Sequence, residues 1–337
     1  MKIGNVDCTT GVALIAEIGN NHEGSVALAE ELIGLAHEAG ADAVKLQTFV
    51  PELYVTSRDA DRMAMLKRFA LPFDETIRLV KTAEESGIHV FSTPFDVLSV
   101  EKLGRVTRTF KVSSGDITFK DLLSAIGRQR TDTIISTGAS HLTEVEAAVD
   151  TVTSFWTEPG TQPALGVLHC VSAYPADASA VNLRAITTLK NRFPFASVGF
   201  SDHTLGIDVP ILAVAAGASI IEKHFTIDKE YSSFRDHTLS AEPQELRELR
   251  KRIDDVFEQL GSGEKVPHPS ELNTRKLIRR SITAARDLQD GHNLSEDDLI
   301  CVRPGEGLPP AGLAAVLGRH TALPIQAGEA ITESKLR

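Results

Sequence analysis

Eight short β-branched runs in the first 250 or so residues end on polar side chains, and those ends are where chemistry would gather. In chain order they offer Glu17; Lys45 and Gln47; Thr93; Lys111 with Ser114 and Asp116; Ser136; His169, Ser172 and Tyr174; Ser201, Asp202 and His203; and Glu222 with His224. Two lysines among a ring of Ser and Thr hydroxyls suit a phosphorylated anion, because charge-assisted hydrogen bonds to phosphate are the strong ones. Period-two alternation puts Lys45 and Gln47 on one face with Leu46 opposite, and Glu222 and His224 opposite Lys223. Inward lysines and glutamates are costly to bury unless paired, so several at one rim imply a polar cavity with charged contents. Taken singly, each of these residues has an ordinary reading as a solvated or satisfied structural side chain. Their conjunction carries the functional one.

His203 and His224 close the last two runs, which is the placement two imidazoles need to share one divalent cation. With only two protein ligands evident, positions stay open for water and substrate oxygens, as Lewis-acid catalysis requires and a closed structural zinc site does not. Asp202 and Glu222 alongside suit a borderline metal such as Mn²⁺, with Mg²⁺ and Co²⁺ as alternatives that spacing does not separate. No G-x-S-x-G occurs, so a nucleophilic serine is not supported.

Residues placed in this way need parallel strands whose C-terminal ends converge. The strand candidates are 12–17, 43–47, 88–92, 109–113, 132–136, 164–169, 196–201 and 218–224, each followed by a longer amphipathic run. Eight β–α units in about 250 residues have the size and count of a closed (β/α)8 TIM barrel, a fold whose active sites sit at the C-terminal ends of its strands. An open doubly wound sheet is the competitor, but no G-x-G-x-x-G follows any strand. Helix punctuation agrees: Ser25 is placed to cap a helix closed by Gly40, Thr143-x-x-Glu146 has the capping-box form, and Ser240 is expected to open a charged helix that stops at Gly261.

The barrel domain is expected over 1–261. Residues 262–280 turn polar and irregular, with Pro267 and Pro269, and predict a linker. In the remaining piece, 281–337, Leu288-x-x-Gly291-x-x-Leu294-Ser295-Glu296-x-x-Leu299 matches Ile325-x-x-Gly328-x-x-Ile331-Thr332-Glu333-x-x-Leu336 at an offset of 37. Two equivalent turn-and-cap units follow, with the glycines in tight turns and Ser295 and Thr332 as N-caps. A piece this small has only a marginal core and is expected to dock on something larger.

The whole-chain numbers fit. A length of 337 residues is a prior for about two domains at roughly 150 residues each. Apolar residues at 42% and charged residues at 24% are ordinary for a folded globular protein. Thirty-five Lys and Arg against 46 Asp and Glu give a net charge of −11, which argues against nucleic-acid or polybasic membrane-surface binding. Cys8, Cys170 and Cys301 are far apart with no C-x-x-C, which points to a reducing, cytoplasmic compartment. The first 19 residues predict no export signal, and the longest apolar span, 209–221, is too short to cross a bilayer.

At these residues the chain resembles the sialic acid synthase family, enzymes that condense phosphoenolpyruvate with an N-acetylmannosamine-type sugar to make nonulosonic acids. The resemblance is carried over nearly the whole length by AEIGNNHEGS (16–25), VKLQTF (44–49), FSTPFD (91–96), KVSSGD (111–116), ISTG (135–138), LHCVSAYP (168–175), GFSDHT (199–204), IIEKHFT (220–226), DHTLSAEP (236–243) and RPGEG (303–307). It implies a TIM barrel followed by an antifreeze-like SAF domain of β-clip character. It also implies a domain-swapped homodimer in which the partner's SAF domain lids the active site. By the same resemblance Lys45, Thr93, Lys111, Ser114, Ser136 and Ser201 would hold phosphoenolpyruvate, with Ser172 where many relatives have Asn. His203 and His224 would bind Mn²⁺ or a similar cation, and Glu17 would manage protons and the attacking water. Gln47, Asp116, Tyr174 and Asp236 would contact the sugar, Asp116 replacing the commoner Glu, and Arg303 would reach across from the other subunit to the acylamino group.

One departure stands out. Relatives that accept N-acetylmannosamine usually read Gly-Pro or Gly-Ser before Asp-His, whereas this chain has Phe234 and Arg235 in that slot. An aromatic ring and a guanidinium suit a different C6 substituent, a phosphate or a modified acyl group; the plainer alternative is that Arg235 only pairs with a loop carboxylate. Legionaminic, pseudaminic and sialic acid synthesis therefore all stay open. The rival functions are a phosphoenolpyruvate–aldose synthase of the 3-deoxy-octulosonate type, against which the SAF-like tail speaks, and a non-catalytic carbohydrate-binding protein.

Overall fold

The computed structural model describes residues 1–157 and 162–337, which divide into two compact units, Met1–Gly261 and Ser262–Arg337. In the first, eight strands close into a parallel barrel: β1 (Ala13–Gly19), β2 (Ala43–Thr48), β3 (His89–Pro94), β4 (Thr109–Val112), β5 (Asp132–Ser136), β6 (Leu165–Cys170), β7 (Ser197–Asp202) and β8 (Ile220–His224). Each bonds to the next and β8 closes on β1. All eight expected strands are present, to within two residues at each end.

Alternation along the strands builds two cores. Leu14, Val44, Val90, Val112, Ile135, Val167, Phe200 and Ile221 are buried together with the helices, while Ile15, Ala43, Phe91, Ile134, Leu168 and Ile220 form a separate inner cluster. Burying each large aliphatic side chain contributes roughly 1.5–3 kcal/mol. A hairpin of Lys2–Ile3 with Val6–Asp7, too short to leave a periodic signal, packs Ile3 into that inner cluster and stoppers the N-terminal end of the barrel. Further along the same inward rows the side chains become polar: Glu17 follows Ile15, Lys45 follows Ala43, Ser136 follows Ile134 and Glu222 follows Ile220. The fold thus places its chemistry at the C-terminal mouth.

Helix starts mostly follow the caps. Ser25 accepts from the Leu28 N–H at 3.2 Å and opens the helix Val26–Glu38. Two caps fall elsewhere than expected. The capping box is His141 with Glu144, not Thr143 with Glu146, because the helix Leu142–Thr153 begins two residues earlier. The charged helix runs Pro243–Leu260 with Glu242 at its N-cap: Pro243, lacking an N–H, fits the first turn, and Ser240 instead donates to the Asp236 carbonyl at 2.6 Å. Among the described residues, no helix is long and apolar enough to cross a membrane.

In the second unit the span read as a linker carries a 3-10 turn, Pro269–Glu271, and a short exposed helix, Leu272–Ile278. Strands β9 (Ser281–Ala284) and β10 (Leu299–Val302) pair antiparallel. The internal repeat folds as a pseudo-two-fold. Leu288 and Ile325, equivalent in the repeat, exchange both backbone hydrogen bonds, and the Gly291 N–H to Thr321 carbonyl bond is matched by Gly328 N–H to Ala284 carbonyl. Both glycines have positive φ, and Ser295 and Thr332 each precede a 3-10 turn, as expected.

Candidate active site

Strand register assembles a buried ionic cluster at the mouth. Glu17 on β1 stands beside Lys45 on β2 and His224 on β8, and Glu222 stands beside Ser201 on β7. Lys45 Nζ lies 2.9 Å from Glu17 Oε1 and 3.6 Å from Glu222 Oε1, and donates to Thr93 Oγ1 at 3.2 Å. Lys111 Nζ lies 3.2 Å from Glu222 Oε2. Ser201 Oγ donates to Glu222 Oε1, Gln47 Nε2 to Glu17 Oε1 and Asn20 Nδ2 to Gln47 Oε1, each at 2.9 Å. None of the four charged side chains is more than 5% exposed, so each charge must be matched locally.

The two ammoniums are cancelled by two carboxylates, and the floor is not the bare dication that the lysines alone suggested. The carboxylates are driven apart in acidity. Burial raises Glu17 above the usual range, with Lys45 opposing and the charge of Glu222 reinforcing the rise. Burial presses on Glu222 too, but Lys111, Lys45 and the Ser201 hydroxyl outweigh it and hold that group well below the usual range. Such a pair divides the labour: Glu17 can carry a proton while Glu222 stays anionic. Glu17 Oε2, Ser136 Oγ and His224 Nδ1 are buried without a hydrogen-bond partner among the described residues, and buried polar atoms of that kind call for a ligand.

The imidazoles meet at the same mouth, with ring centroids 5.4 Å apart. His203 Nδ1 lies 2.6 Å from the Val171 carbonyl oxygen, which only accepts; Nδ1 therefore carries the proton and Nε2 presents its lone pair. Burial lowers the pKa of both rings, that of His224 well below the ordinary imidazole value with His203 and the lysines adding to the effect. Neutral rings with available nitrogens fit a divalent cation. Among the described residues no cluster of three or more His, Cys, Asp or Glu exists to complete a closed site. Asp202 is not beside that pair: it turns to the outer face of β7 and binds Lys223 at 2.7 Å.

These residues border one cavity of about 810 Å³, lined also by Thr93, Ser114, Ser136, Ser172, Tyr174, Ser201 and Asp236. Ser114 Oγ accepts from the Gly138 N–H at 2.9 Å and lies 3.1 Å from Cys170 Sγ. Any Cβ at Gly138 would stand 2.3 Å from Ser172 Oγ and 2.9 Å from Ser114 Oγ, so the hydroxyls require glycine there. Tyr174 stacks 4.2 Å from the His203 ring, and the Arg235 guanidinium lies 5.0 Å above Tyr174 and 3.3 Å from Asp236 Oδ1. Within the barrel unit two candidates lie apart. Asp116 does not line the cavity and accepts from Ser113 at 2.5 Å. His169 donates to the Val181 carbonyl at 2.7 Å beside a separate cavity of about 530 Å³. Arg303 is exposed in the second unit, just after β10.

Sequence reasoning set Glu222 beside the imidazoles as a neighbour of the metal, not as the partner of the two lysines, and gave Asn20 no role. The pairing was findable, since two inward lysines demand as many inward carboxylates; Asn20 has no signal beyond its place in the Gly-Asn-Asn segment.

A closed parallel barrel with a charged, hydroxyl-lined mouth and two neutral imidazoles defines a TIM-barrel enzyme. Residues 32–265 match the NeuB family and residues 279–337 match the SAF domain. The chain belongs to the NeuB family. It is 41% identical to the N,N'-diacetyllegionaminic acid synthase of Legionella pneumophila, over 94% of this chain and 92% of that one. It is 32% identical to a pseudaminic acid synthase of Campylobacter jejuni over the full length of both. Among solved structures, the N-acetylneuraminic acid synthetase of Leptospira borgpetersenii in complex with citrate superposes with a TM-score of 0.73 at 35% identity, covering 78% of this chain and 90% of that one.

Proposed function

We propose that the protein condenses phosphoenolpyruvate with an N-acylated amino-hexose to give a nonulosonic acid and phosphate. The observation that carries this reading is the buried Glu17–Lys45–Glu222–Lys111 cluster, whose unmatched polar atoms open on a cavity that two neutral imidazoles share. Lys45, Lys111, Thr93, Ser114, Ser136, Ser172 and Ser201 supply the donors for phosphate and carboxylate. Gln47, Tyr174 and Asp236 face the sugar, and Asp116 is left to hold its own loop.

Carbon 3 of phosphoenolpyruvate bonds to the aldehyde carbon of the open-chain sugar with the electron pair of its double bond, as the aldehyde's own π pair moves onto its oxygen, which takes up a proton to become a hydroxyl. Positive charge builds at carbon 2, water adds there, and phosphate departs with cleavage of its C–O bond. Glu222, fixed as an anion, stabilises the charge at carbon 2, while Glu17 takes the proton of the incoming water. Most of the gain comes from holding two reactants in contact inside a preorganised field. His203 and His224 would hold a divalent cation, Mn²⁺ by preference, which as a Lewis acid polarises the aldehyde oxygen. The resemblance also supports a swapped homodimer in which Arg303 of one copy serves the other's sugar; sedimentation as a monomer at assay concentration would remove that part.

Mixing the protein with phosphoenolpyruvate and a panel of N-acylated amino-hexoses should release phosphate in step with a nine-carbon acid identified by mass spectrometry. No phosphate from any acceptor overturns the reading. Chelation should stop turnover and Mn²⁺ restore it, and unchanged turnover of stripped protein excludes the cation.

A further inference from the structure

The segment after β8 brings Phe234, Arg235 and Asp236 to the cavity. Phe234 meets Phe69 edge-on, with ring centroids 5.0 Å apart, and joins Tyr54 and Phe95 in an aromatic wall interrupted by Arg62 and Arg68. Asp236 is buried beside it, on a helix of only five residues, Arg235–Leu239. So short a helix is marginal by itself, and the place of its carboxylate has to be set from outside.

The turn after β1 sets it. Buried Asn21 directs both hydrogens of Nδ2 across that turn, one to the Phe225 carbonyl at 2.8 Å and one to Ser240 Oγ at 3.0 Å. Ser240 donates in turn to the Asp236 carbonyl at 2.6 Å. Two residues on, Glu23 accepts from Ser232 and lies 3.5 Å from His237 Nε2, while His237 Nδ1 lies 2.6 Å from Thr226 Oγ1. The backbone is thus gripped on either side of Asp236. Asn21 is suited to its part: an aspartate has no hydrogen to give and a serine has one, whereas a primary amide supplies two from a single nitrogen.

Both acceptors of Asn21 bear on the cavity, although Asn21 itself does not line it. Phe225 follows His224, and its N–H donates to the Glu17 carbonyl at 2.8 Å, so it belongs to the strand end that carries an imidazole. Ser240 holds the backbone of Asp236. One amide therefore fixes the span from the imidazoles to the Asp236 carboxylate. An aldose with its aldehyde at His203 and His224 and its hydroxyls at Asp236 has to bridge that same span.

We propose that Asn21 is a positioning residue for the acceptor: through Ser240 it sets Asp236 against the imidazole end of the cavity, and it has no part in holding phosphoenolpyruvate. This rests on the reaction proposed above and adds to it a residue that touches neither reactant.

The test is steady-state phosphate release with N-acetylmannosamine and with a 2,4-diacetamido aldose, both from the panel above, for the native chain, Asn21→Ala, Ser240→Ala and the double variant. Each single variant should raise the acceptor KM and lower the acceptor kcat/KM by about 10- to 100-fold, the loss that a misplacement near 1 Å produces. The phosphoenolpyruvate KM, and its affinity by calorimetry, should not move. The double variant should lose no more than the worse single one, because both substitutions cut one chain of hydrogen bonds. A lower kcat with both KM values unchanged overturns the proposal and leaves the reaction standing. So does a phosphoenolpyruvate KM that rises with the acceptor's, or losses that multiply in the double variant. No phosphate from the native chain with any member of the panel removes the reaction and the proposal together. Should Asn21→Ala fail to fold, Ser240→Ala, which loses one hydroxyl, still decides.

Discussion

Glu222 and Lys223 are neighbours on β8, both buried and both ion-paired, yet they face opposite sides of the barrel wall. On the outer side, Lys223 binds Asp202 at 2.7 Å and donates to the Thr204 carbonyl at 2.6 Å, while Asp202 Oδ1 accepts from the Thr204 N–H and hydroxyl at 3.0 and 2.8 Å. Both side chains are fully buried, and each carboxylate oxygen of Asp202 and the ammonium of Lys223 has a partner within the protein. On the inner side, Glu222 meets Lys111 and shares Lys45 with Glu17, whose second oxygen has no hydrogen-bond partner among the described residues. Desolvation presses on both arrangements. The outer pair resolves it within the protein and serves as a strut; the inner cluster leaves it partly unresolved, as a site awaiting a charged guest must.

Substitutions on the two faces should therefore fail in different currencies. Glu17→Gln should cost the most, about 10²- to 10⁴-fold in phosphate release, with phosphoenolpyruvate binding still measurable by calorimetry and the denaturation midpoint little moved. Near-normal turnover would take Glu17 out of the chemistry. Asp202→Asn strands a buried ammonium and should destabilise the barrel by about 3–5 kcal/mol, read as a fall in urea midpoint. Unchanged stability would show that the outer pair is no strut. The smallest effect is expected in the second unit, where Asp298 is a buried carboxylate satisfied on every side. Burial pushes its pKa up, but hydrogen bonds from Ser295, His292 and Arg286 prevail and hold it below the ordinary value. Its contribution is full above about pH 4, where the unfolded carboxyl is already ionised, and is lost as pH falls through the folded value. Asp298→Asn should cost about 2 kcal/mol at neutral pH. It should also flatten the acid-induced rise in amide exchange of residues 281–337, and an unflattened curve would count against the carboxylate.

The strands and their inward faces were legible because alternation is a local property: Ile15 and Glu17, or Ile220 and Glu222, declare their side within a few residues. What Lys45 and Lys111 touch was not legible. Their partners lie up to 177 positions away along the chain, from Lys45 to Glu222, and come together only when β8 closes on β1. Asp202 was set beside the imidazoles because it precedes His203, but the pleat of β7 turns it outward. The wall around Phe234 was invisible for another reason. Its rings come from three segments, with Tyr54 and Phe69 on the short helices Pro51–Tyr54 and Ala60–Phe69, Phe95 just after β3 and Phe234 after β8, and show no period, so the unusual Phe-Arg pair marked a difference without saying what it faced.

The hairpin that stoppers the barrel also governs traffic. Lys111 and Ser136 are only 2–3% exposed, whereas Tyr174, at 37%, stands in the open. With the base shut, reactants would enter by the mouth, and the proposed sites would seat the enolpyruvyl anion before the aldose. An aldose that arrives first blocks its own co-substrate, so abundant acceptor should slow the enzyme when phosphoenolpyruvate is scarce.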